Sequence, residues 1–459
     1  MAFFCKYASF LSFTLLCVGV LIFAQVKEGR AQDADADGIP DMAEAGLGGN
    51  PNHKDIFVEC DYMQLDFNRD GDGADRGEHS HRLSNTAVAE LIKIFANAPV
   101  TNPDKACQGG PKNGAACATS ADCSNFSCSL TGIALHLEQN QALPDQRFLD
   151  FTNRKGGSNF FDFKNRYFDF ANRAPYYHYC ILAHDASEEL GSASGQAEIF
   201  GNDFMVTLGS WPSETGLPVG TVKDQIGTFL HELSHNLGLE HGGGSPLSVA
   251  ERTKNHKPNY RSVMNYSFQV TGIGGQFDLS RVQLPTLNEN NLNEAVGVGG
   301  GSTRYFCQQG ALFRSDVGGG VDWNCLNPIN SLSVAENVNA DRTFLAEQVR
   351  DTLAGYDDWS NIHLNFLPSP VYDAGVGAGF VQHRRYLGSY KPISITAGRG
   401  VDREPEVTMP EGRCLEFFAV RQEGTSVVRF RTDARPQPDR RGGPNDPPGP
   451  NGVGDICEP

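Results

Sequence analysis

The chain has 459 residues, of which 39% are hydrophobic and 20% charged, and its formal net charge is −17. This length exceeds one typical domain, so we expect one large domain with additional segments, and the apolar fraction is sufficient for a true core. The negative charge disfavours nucleic acids and anionic membranes, because both would repel the chain. We therefore predict no nucleic-acid partner and no stable membrane partner.

An apolar stretch begins the chain. Lys6 precedes an uncharged apolar run over residues 7–24, and Gly29-Arg30-Ala31 offers a cleavage site, with Ala24 as a second candidate. Residues 1–31 are therefore predicted to be a signal peptide, and the protein is predicted to be secreted or extracellular. The alternative is an anchor formed by an uncleaved N-terminal apolar segment, because the run is long enough to span a bilayer.

Acidic residues alternate with small residues immediately after this stretch. They follow the spacing of a calcium loop, with a glycine (Gly38) at the sharp turn in position six. The predicted ligands are Asp33, Asp35, Asp37, the carbonyl of Ile39, Asp41 and Glu44. The pattern resembles thrombospondin type 3 and EF-hand-like dockerin repeats. Residues 32–53 are thus predicted to bind Ca²⁺, and the alternative is an acidic disordered tail.

Strands and helices are predicted to alternate through the next part of the chain. The predicted strands are 55–63, 131–138, 176–183 and 203–208, and the predicted helices are a run that Ser84 caps and residues 160–171. This alternation indicates an α+β fold with a twisted mixed sheet, in a domain that we place at residues 54–370. His79 and His81, just before the first helix, are predicted to be surface residues and not ligands of a second metal.

The cysteine pattern indicates disulfides. Four cysteines lie in a Gly-, Asn- and Ser-rich insertion at 105–130, without a C-x-x-C pair or a nearby histidine, so two disulfides are favoured over a metal knuckle. These four are Cys107, Cys117, Cys123 and Cys128. Three further pairings are guesses from position alone: Cys60 with Cys180, Cys307 with Cys325, and Cys414 with Cys457.

A metal-binding pattern follows at residues 231–241, which read H-E-x-x-H-x-x-G-x-x-H. His231 and His235 lie four residues apart, so a helix would present both on one face. Gly238 can adopt the left-handed conformation that ends a helix, and the resulting turn lets His241 supply a third nitrogen. Glu232 can reach a metal-activated water. Three imidazoles leave one coordination position open, as in catalytic zinc sites.

A second motif, Ser262-Val263-Met264-Asn265-Tyr266, lies downstream. Together, the elongated histidine pattern and this S-V-M-x-Y segment resemble the metzincin metalloproteases, in which a Met-turn runs beneath the zinc. The resemblance implies a zincin/metzincin fold with an active-site helix and a loop-rich C-terminal subdomain. It also implies that Met264 forms an apolar floor under the histidines. Tyr266 matches the tyrosine that astacin-like and serralysin-like members place beside the metal.

The C-terminal part of the chain is predicted to be less regular. Residues 371–434 are predicted to form a small β-rich region with a hairpin of strands 415–420 and 426–431. Residues 435–459 form a tail rich in proline and glycine that lacks a core and is predicted to be extended.

These motifs predict a secreted zinc-dependent endopeptidase with Zn²⁺ and Ca²⁺ as cofactors. Glu232 is its general base towards a metal-activated water, and Tyr266 stabilises the oxyanion. A protein or peptide is the expected substrate, bound as an extended strand at a sheet edge. One alternative is a catalytically weak, calcium-stabilised binding or adhesion protein of metzincin fold, and another is a calcium-stabilised surface protein without zinc chemistry. Retention of Glu232 and Tyr266 favours the enzyme, since a binding protein needs no base.

Overall fold

The computed structural model describes nine parts of the chain with gaps between them, and in addition four isolated strands. These parts are residues 32–65, 79–151, 159–186, 192–307, 310–316, 319–326, 329, 333–339, 350–365, and the strands 394–398, 414–422, 425–434 and 453–457. Only the backbone is described for residue 307, for 310–316 and for the four strands. The predicted signal peptide, 1–31, lies outside the described residues. Within them, no helix is long and apolar enough to cross a membrane.

The described residues form an α+β fold. The strands are β1 (Asp55–Leu65), β2 (His79–Ser80), β3 (Thr101–Gln108), β4 (Ser127–Thr131), β5 (Ala134–Pro144), β6 (Tyr177–Ala183), β7 (Ala193–Glu198), β8 (Asp203–Thr207), β9 (Leu287–Asn288), β10 (Leu292–Asn293), β11 (Thr303–Cys307), β12 (Gly310–Asp316), β13 (Ser333–Val334), β14 (Thr352–Leu353), β15 (Ser394–Gly398), β16 (Cys414–Gln422), β17 (Thr425–Ala434) and β18 (Val453–Cys457). The helices are α1 (Asp41–Leu47), α2 (Asn85–Ala96), α3 (Phe160–Tyr167), α4 (Phe170–Arg173), α5 (Val222–Asn236) and α6 (Val249–Arg252).

A mixed sheet of seven described strands is the centre of the fold. Its order is β15-β7-β8-β6-β1-β2, and β5 also pairs with β1. Strands β5, β1, β6 and β8 are parallel, whereas β7 is antiparallel to β8 and β15 is antiparallel to β7. The carboxyl ends of the parallel strands therefore meet at one edge of the sheet, while β7 lies next to α5.

Two apolar clusters cover the two faces of this sheet. Alternate residues of β1 point to opposite faces: Ile56 and Val58 belong to the cluster that contains α2 and α5, and Phe57 belongs to the other. The second cluster also takes in Ile39 from the acidic loop and the phenylalanines of α3. A third, smaller cluster packs the loops between 287 and 353 around Trp323.

Local sequence explains the position of α5. Thr221 and Asp224 form a capping box, in which each side chain accepts a hydrogen bond from the backbone N–H of the other. The helix ends at Asn236, two residues before Gly238, which has a φ of +90°. The predicted helix 160–171, in contrast, is two helices, because the chain is extended at Phe168.

The disulfide prediction for the insertion is confirmed, with Cys107 bonded to Cys123 and Cys117 to Cys128. The predicted disulfide between Cys60 and Cys180 is wrong. The two residues are direct neighbours on β1 and β6, but both are buried free thiols. Cys325 is disulfide-bonded, and the side chain of its predicted partner, Cys307, lies outside those described.

The C-terminal part of the chain contains further strands, one of which, β18, lies in the segment predicted to be an extended tail. β16 and β17 form the expected antiparallel hairpin, and β18 adds to its other side. The backbones of Cys414 and Cys457 face each other in this register, while their side chains are outside the described part of the chain.

Candidate metal centre

The three histidines of the sequence pattern converge. Nε2 of His231 and Nε2 of His235 are 3.1 Å apart, and the ring centre of His241 lies 5.3 Å from that of His231 and 5.0 Å from that of His235. One nitrogen from each ring falls within a group whose members lie within 4.8 Å of one another. Gly238 permits this arrangement, because its left-handed backbone returns the chain towards α5.

Backbone carbonyls orient two of the rings. Nδ1–H of His231 donates to the carbonyl of Val263 (2.8 Å), and Nδ1–H of His235 donates to the carbonyl of Leu239 (2.7 Å). These bonds fix the tautomer, so each Nε2 keeps its lone pair directed into the group. Hydrogen bonding of the second ring nitrogen is the usual outer support of metal-binding histidines.

Burial keeps the histidines neutral. Burial is the main cause that lowers the pKa of His235 to about 4, and burial also lowers the pKa of His231 and of His241 well below the ordinary value of histidine. Metal binding requires unprotonated imidazole, so a neutral set of three is ready to bind a cation without first losing protons.

Glu232 lies against the neighbouring strand β7. Its side chain is fully buried, and it packs on Gly195, where an added Cβ would lie 2.6 Å from Oε1 of Glu232. A larger residue at position 195 would displace the carboxylate. Glycine at position 195, in the middle of β7, leaves the space that the Glu232 carboxylate occupies.

The Met-turn lies next to the histidines. The backbone N–H of Asn265 donates to the carbonyl of Ser262 and closes the turn, and Met264 is fully buried within the main apolar cluster. Tyr266 is half-buried, with its ring centre 4.7 Å from that of His241 and 5.6 Å from that of His231. Thus the sequence-predicted tyrosine lies beside the histidine group.

A buried carboxyl group that the sequence analysis missed supports this turn. Asp358 accepts hydrogen bonds from the hydroxyl of Tyr260 (2.7 Å) and from the backbone N–H of Ser280 (2.9 Å). Burial raises the pKa of Asp358 to about 7. It lies 94 residues after Met264 in the sequence, so no local spacing could have indicated the contact.

The acidic loop forms a second group of possible ligands. Asp33, Asp35 and Asp37 each offer a carboxylate oxygen to one set, and Asp37, Glu44 and Asp55 form an adjoining set. Neither carboxylate oxygen of Glu44 has a hydrogen bond within the described part of the chain, although the residue is fully buried. Such a carboxyl group is stabilised either by a bound cation or by protonation.

The possible cation ligands in the structure differ from the predicted calcium ligands at positions 41 and 55. Asp41 belongs to neither set, and its Oδ1 accepts from the backbone N–H of Ala34 to close the loop. The side chain of Ile39 packs in an apolar cluster. Asp55, on β1, was missed because it comes from a strand 11 residues after Glu44, outside the repeat.

Buried charges in this loop repel one another. Burial, the largest cause, together with neighbouring carboxylates raises the pKa of Asp35 to about 6, of Asp37 to about 7 and of Glu44 to about 9. The donor set consists of oxygens alone, which suits a hard cation such as Ca²⁺.

A third group corrects a sequence prediction. His79 and His81 are not surface residues: each is 6% exposed, and they lie with His184 and Asp145 in a group that could hold a metal ion. The sequence gives little signal for this group, because its members come from three separate strand ends.

No protein-family model, no curated protein and no solved structure matches this chain.

Proposed function

We propose that the protein is a secreted zinc-dependent endopeptidase of metzincin type. The observation that carries this proposal is the convergence of three buried histidines, with Glu232 next to His231 in the chain and the ring of Tyr266 against that of His241. Three nitrogen ligands fit a zinc ion that keeps a position for water or substrate. The mixed sheet and the buried turn at Met264, whose neighbour Val263 accepts a hydrogen bond from His231, are consistent with the metzincin resemblance.

A zinc ion held by His231, His235 and His241 would activate water and polarise the carbonyl of the substrate. Glu232 would accept the proton of the attacking water and then deliver it to the departing amine. Its full burial, in contact with Gly195, holds the carboxylate in one position for both transfers. Pre-positioning of this kind would lower the barrier of the reaction, because the reacting groups are already held in the geometry that the reaction needs.

Tyr266 would donate its hydroxyl hydrogen to the oxyanion that forms on the substrate carbonyl. Its half-buried ring contacts His241 and His256, which limits the positions that the hydroxyl can reach. Loss of one oxyanion donor costs about 3 kcal/mol in other hydrolases, or about 100-fold in rate. We expect a loss of this order for Tyr266→Phe.

The substrate is proposed to be an extended peptide or unfolded protein. Strand β7 contacts Glu232, and an extended chain could pair with this strand in place of β15 through backbone hydrogen bonds. This mode of binding depends on the backbone, so it requires an unfolded segment more than a particular side chain.

We also propose Ca²⁺ as a structural cofactor in the acidic loop. The loop supplies oxygen ligands only, and the buried Glu44 carboxylate provides the charge that a calcium ion would compensate. The loop closes on β1, where the backbone N–H of Asp55 donates to Oδ2 of Asp37 (2.8 Å). Calcium would thereby attach the N-terminal segment to the central sheet.

The proposal is tested by cleavage of a denatured generic protein with the purified chain and with Glu232→Gln. A zinc-selective chelator is added in parallel with calcium held constant, and Glu214→Gln, at an exposed glutamate, controls for loss of a charge. We expect the unmodified chain and Glu214→Gln to cleave, and Glu232→Gln and the chelated sample to be inactive.

A folded, zinc-loaded chain that cleaves no unfolded protein would contradict the endopeptidase. The binding or adhesion protein would then be the better assignment. Loss of activity in Glu214→Gln to the same extent as in Glu232→Gln would show that the general-base role of Glu232 is wrong.

A further inference from the structure

The group formed by His79, His81, His184 and Asp145 is separate from the three-histidine centre. The three histidines are 5–6% exposed, and the side chain of Asp145 is 2% exposed. Four side chains rich in nitrogen and oxygen donors are thus enclosed together without any residue of the proposed catalytic machinery.

The backbone places these residues in position before any ligand binds. β2 pairs with the last residues of β1, Gln64 and Leu65, on the side of β1 that faces away from β5. On this side of β1, β2 follows the segment that pairs with β6. His79 and His81 are two residues apart in this extended segment and therefore point to the same face. The backbone N–H of His81 donates to the carbonyl of Met63, which continues the pairing.

The other two residues follow the adjacent parallel strands. Asp145 comes directly after β5 and His184 directly after β6, so both lie at the carboxyl edge of the sheet. The two connecting segments are bonded to each other: Leu149 N–H donates to the carbonyl of Asp185 (2.9 Å), and Asp185 N–H donates to that of Arg147 (3.0 Å). The group therefore rests on three strand ends and not on a mobile loop.

The distances match those between ligands of one ion. Nδ1 of His184 lies 3.1 Å from Nε2 of His81 and 3.4 Å from Nε2 of His79, while Oδ1 of Asp145 lies 3.8 Å from Nε2 of His81. Ligands at zinc's usual bond length of about 2.0–2.1 Å, arranged as a tetrahedron, are about 3.3 Å apart. All four ligand atoms lie within 4.8 Å of one another.

Hydrogen bonding alone explains this arrangement poorly. A ring nitrogen carries one hydrogen or one lone pair, so Nδ1 of His184 can make one good bond, yet it faces the nitrogens of both His79 and His81. The opposite nitrogen of the same ring, Nε2, lies 3.9 Å from Oδ2 of Asp185. A carboxylate behind a histidine is the usual outer support of a metal ligand.

We propose that His79, His81, His184 and Asp145 hold a second zinc ion with a structural role. Three nitrogens and one carboxylate oxygen complete a four-coordinate set, so no position remains for substrate or a reactive water. The single negative charge of Asp145 partly compensates the ion. This zinc joins the carboxyl ends of β1, β5 and β6, and it does not depend on the protease assignment.

The test counts zinc in the purified full chain after equilibration with zinc and removal of the free ion. We expect two equivalents in the unmodified chain, one in His184→Ala, one in His235→Ala and none in the double variant. His363→Ala, at an exposed histidine that is in neither group, should retain two equivalents and serves as the matched control.

Asp145→Asn preserves side-chain size and tests the site if His184→Ala does not fold. We expect its second zinc to bind at least about tenfold more weakly, while the first is unaffected. X-ray absorption on zinc-loaded His235→Ala, which isolates the second ion, should show four nitrogen or oxygen neighbours. One equivalent in the unmodified chain, or two in His184→Ala, would overturn the proposal, and so would a different metal at the second site.

Discussion

Glu232 and Gly195 show how one small residue sets the position of a catalytic group. A Cβ at position 195 would lie 2.6 Å from Oε1 of Glu232 and 2.7 Å from the carbonyl oxygen of Met205. We therefore expect Gly195→Ala to shift the carboxylate and to lower kcat/KM by about 100-fold, because small misplacements of a reacting group have effects of this size. Zinc content should be unchanged, since the atoms nearest the added Cβ belong to Glu232 and Met205 and not to the three histidines.

This prediction is checked by peptide cleavage together with zinc analysis. Gly46→Ala is the matched control, because a Cβ at that helical position meets nothing within 4 Å. An unchanged kcat/KM in Gly195→Ala would show that Glu232 does not need this contact, and loss of zinc would show that the change acts on the whole site.

Asp358 allows a prediction about pH. Burial raises its pKa to about 7 from an ordinary 3.8, so the folded state binds its proton more tightly than the unfolded state. The corresponding stabilisation is complete below about pH 4 and is lost as the pH rises through about 7. Asp358→Asn carries no charge, so its stability relative to the unmodified chain should improve by about 2 kcal/mol between pH 5 and pH 8.

Denaturant unfolding of both proteins at several pH values, with zinc and calcium in excess, measures this difference. Asp357→Asn, at the half-buried neighbour, controls for removal of a nearby charge. A difference that stays constant from pH 5 to pH 8 would contradict the raised pKa of Asp358.

At the scale of elements, α5 and β7 show what the sequence could and could not predict. The spacing of His231 and His235, with Gly238 after them, was sufficient to predict the helix, while its capping box was not predicted. β7 was missed because its sequence, A-S-G-Q-A-E, lacks the β-branched and aromatic residues that indicate a strand. Its small residues allow close packing with α5, and a contact between separate elements cannot be recognised from the local sequence.

The pairing of β15 with β7 bears on access to the proposed site. β15 aligns Thr396 with Gln196 and Ala397 with Gly195. It therefore pairs with the side of β7 that β8 does not occupy, in the strand that contacts Glu232. A substrate that adds to β7 would compete with β15 for the same backbone groups. Replacing Ile395 and Thr396 with proline removes consecutive backbone N–H groups, one of which must point to β7.

We therefore expect the double proline variant to cleave an unfolded protein several-fold faster than the double alanine variant at the same positions. Initial rates at low substrate concentration report this competition, since they follow kcat/KM. Equal rates in the two variants would mean that β15 does not restrict substrate binding.

Across the whole molecule, the proposed metal sites lie on different parts of one sheet. The three-histidine group adjoins the apolar cluster of α2 and α5, whereas Ile39 of the acidic loop packs in the cluster on the opposite face. The sequence predicted the three-histidine group and the acidic loop, because the residues of each lie in one continuous segment. Asp55 and the group around His184 depend on strand pairing, which no single segment encodes.

This separation predicts that calcium affects stability without affecting zinc. Glu44 is buried with two carboxylate oxygens that make no hydrogen bond within the described residues, so its charge is costly unless calcium compensates it. With calcium at about 100 times its dissociation constant, binding should stabilise the fold by about 3 kcal/mol. Glu44→Gln removes both the charge and a ligand, so it should be more stable than the unmodified chain without calcium and less stable with it.

Thermal unfolding with free calcium buffered from low to high and free zinc held constant measures this reversal. Gln32→Glu, at an exposed position beside the loop, keeps all ligands and controls for a change of charge. If the melting temperatures of the unmodified chain and Glu44→Gln rise equally with calcium, Glu44 is not a ligand. A reversal with unchanged zinc content would instead show that the acidic loop attaches to β1 through a calcium ion, independently of the histidine centre on the other face.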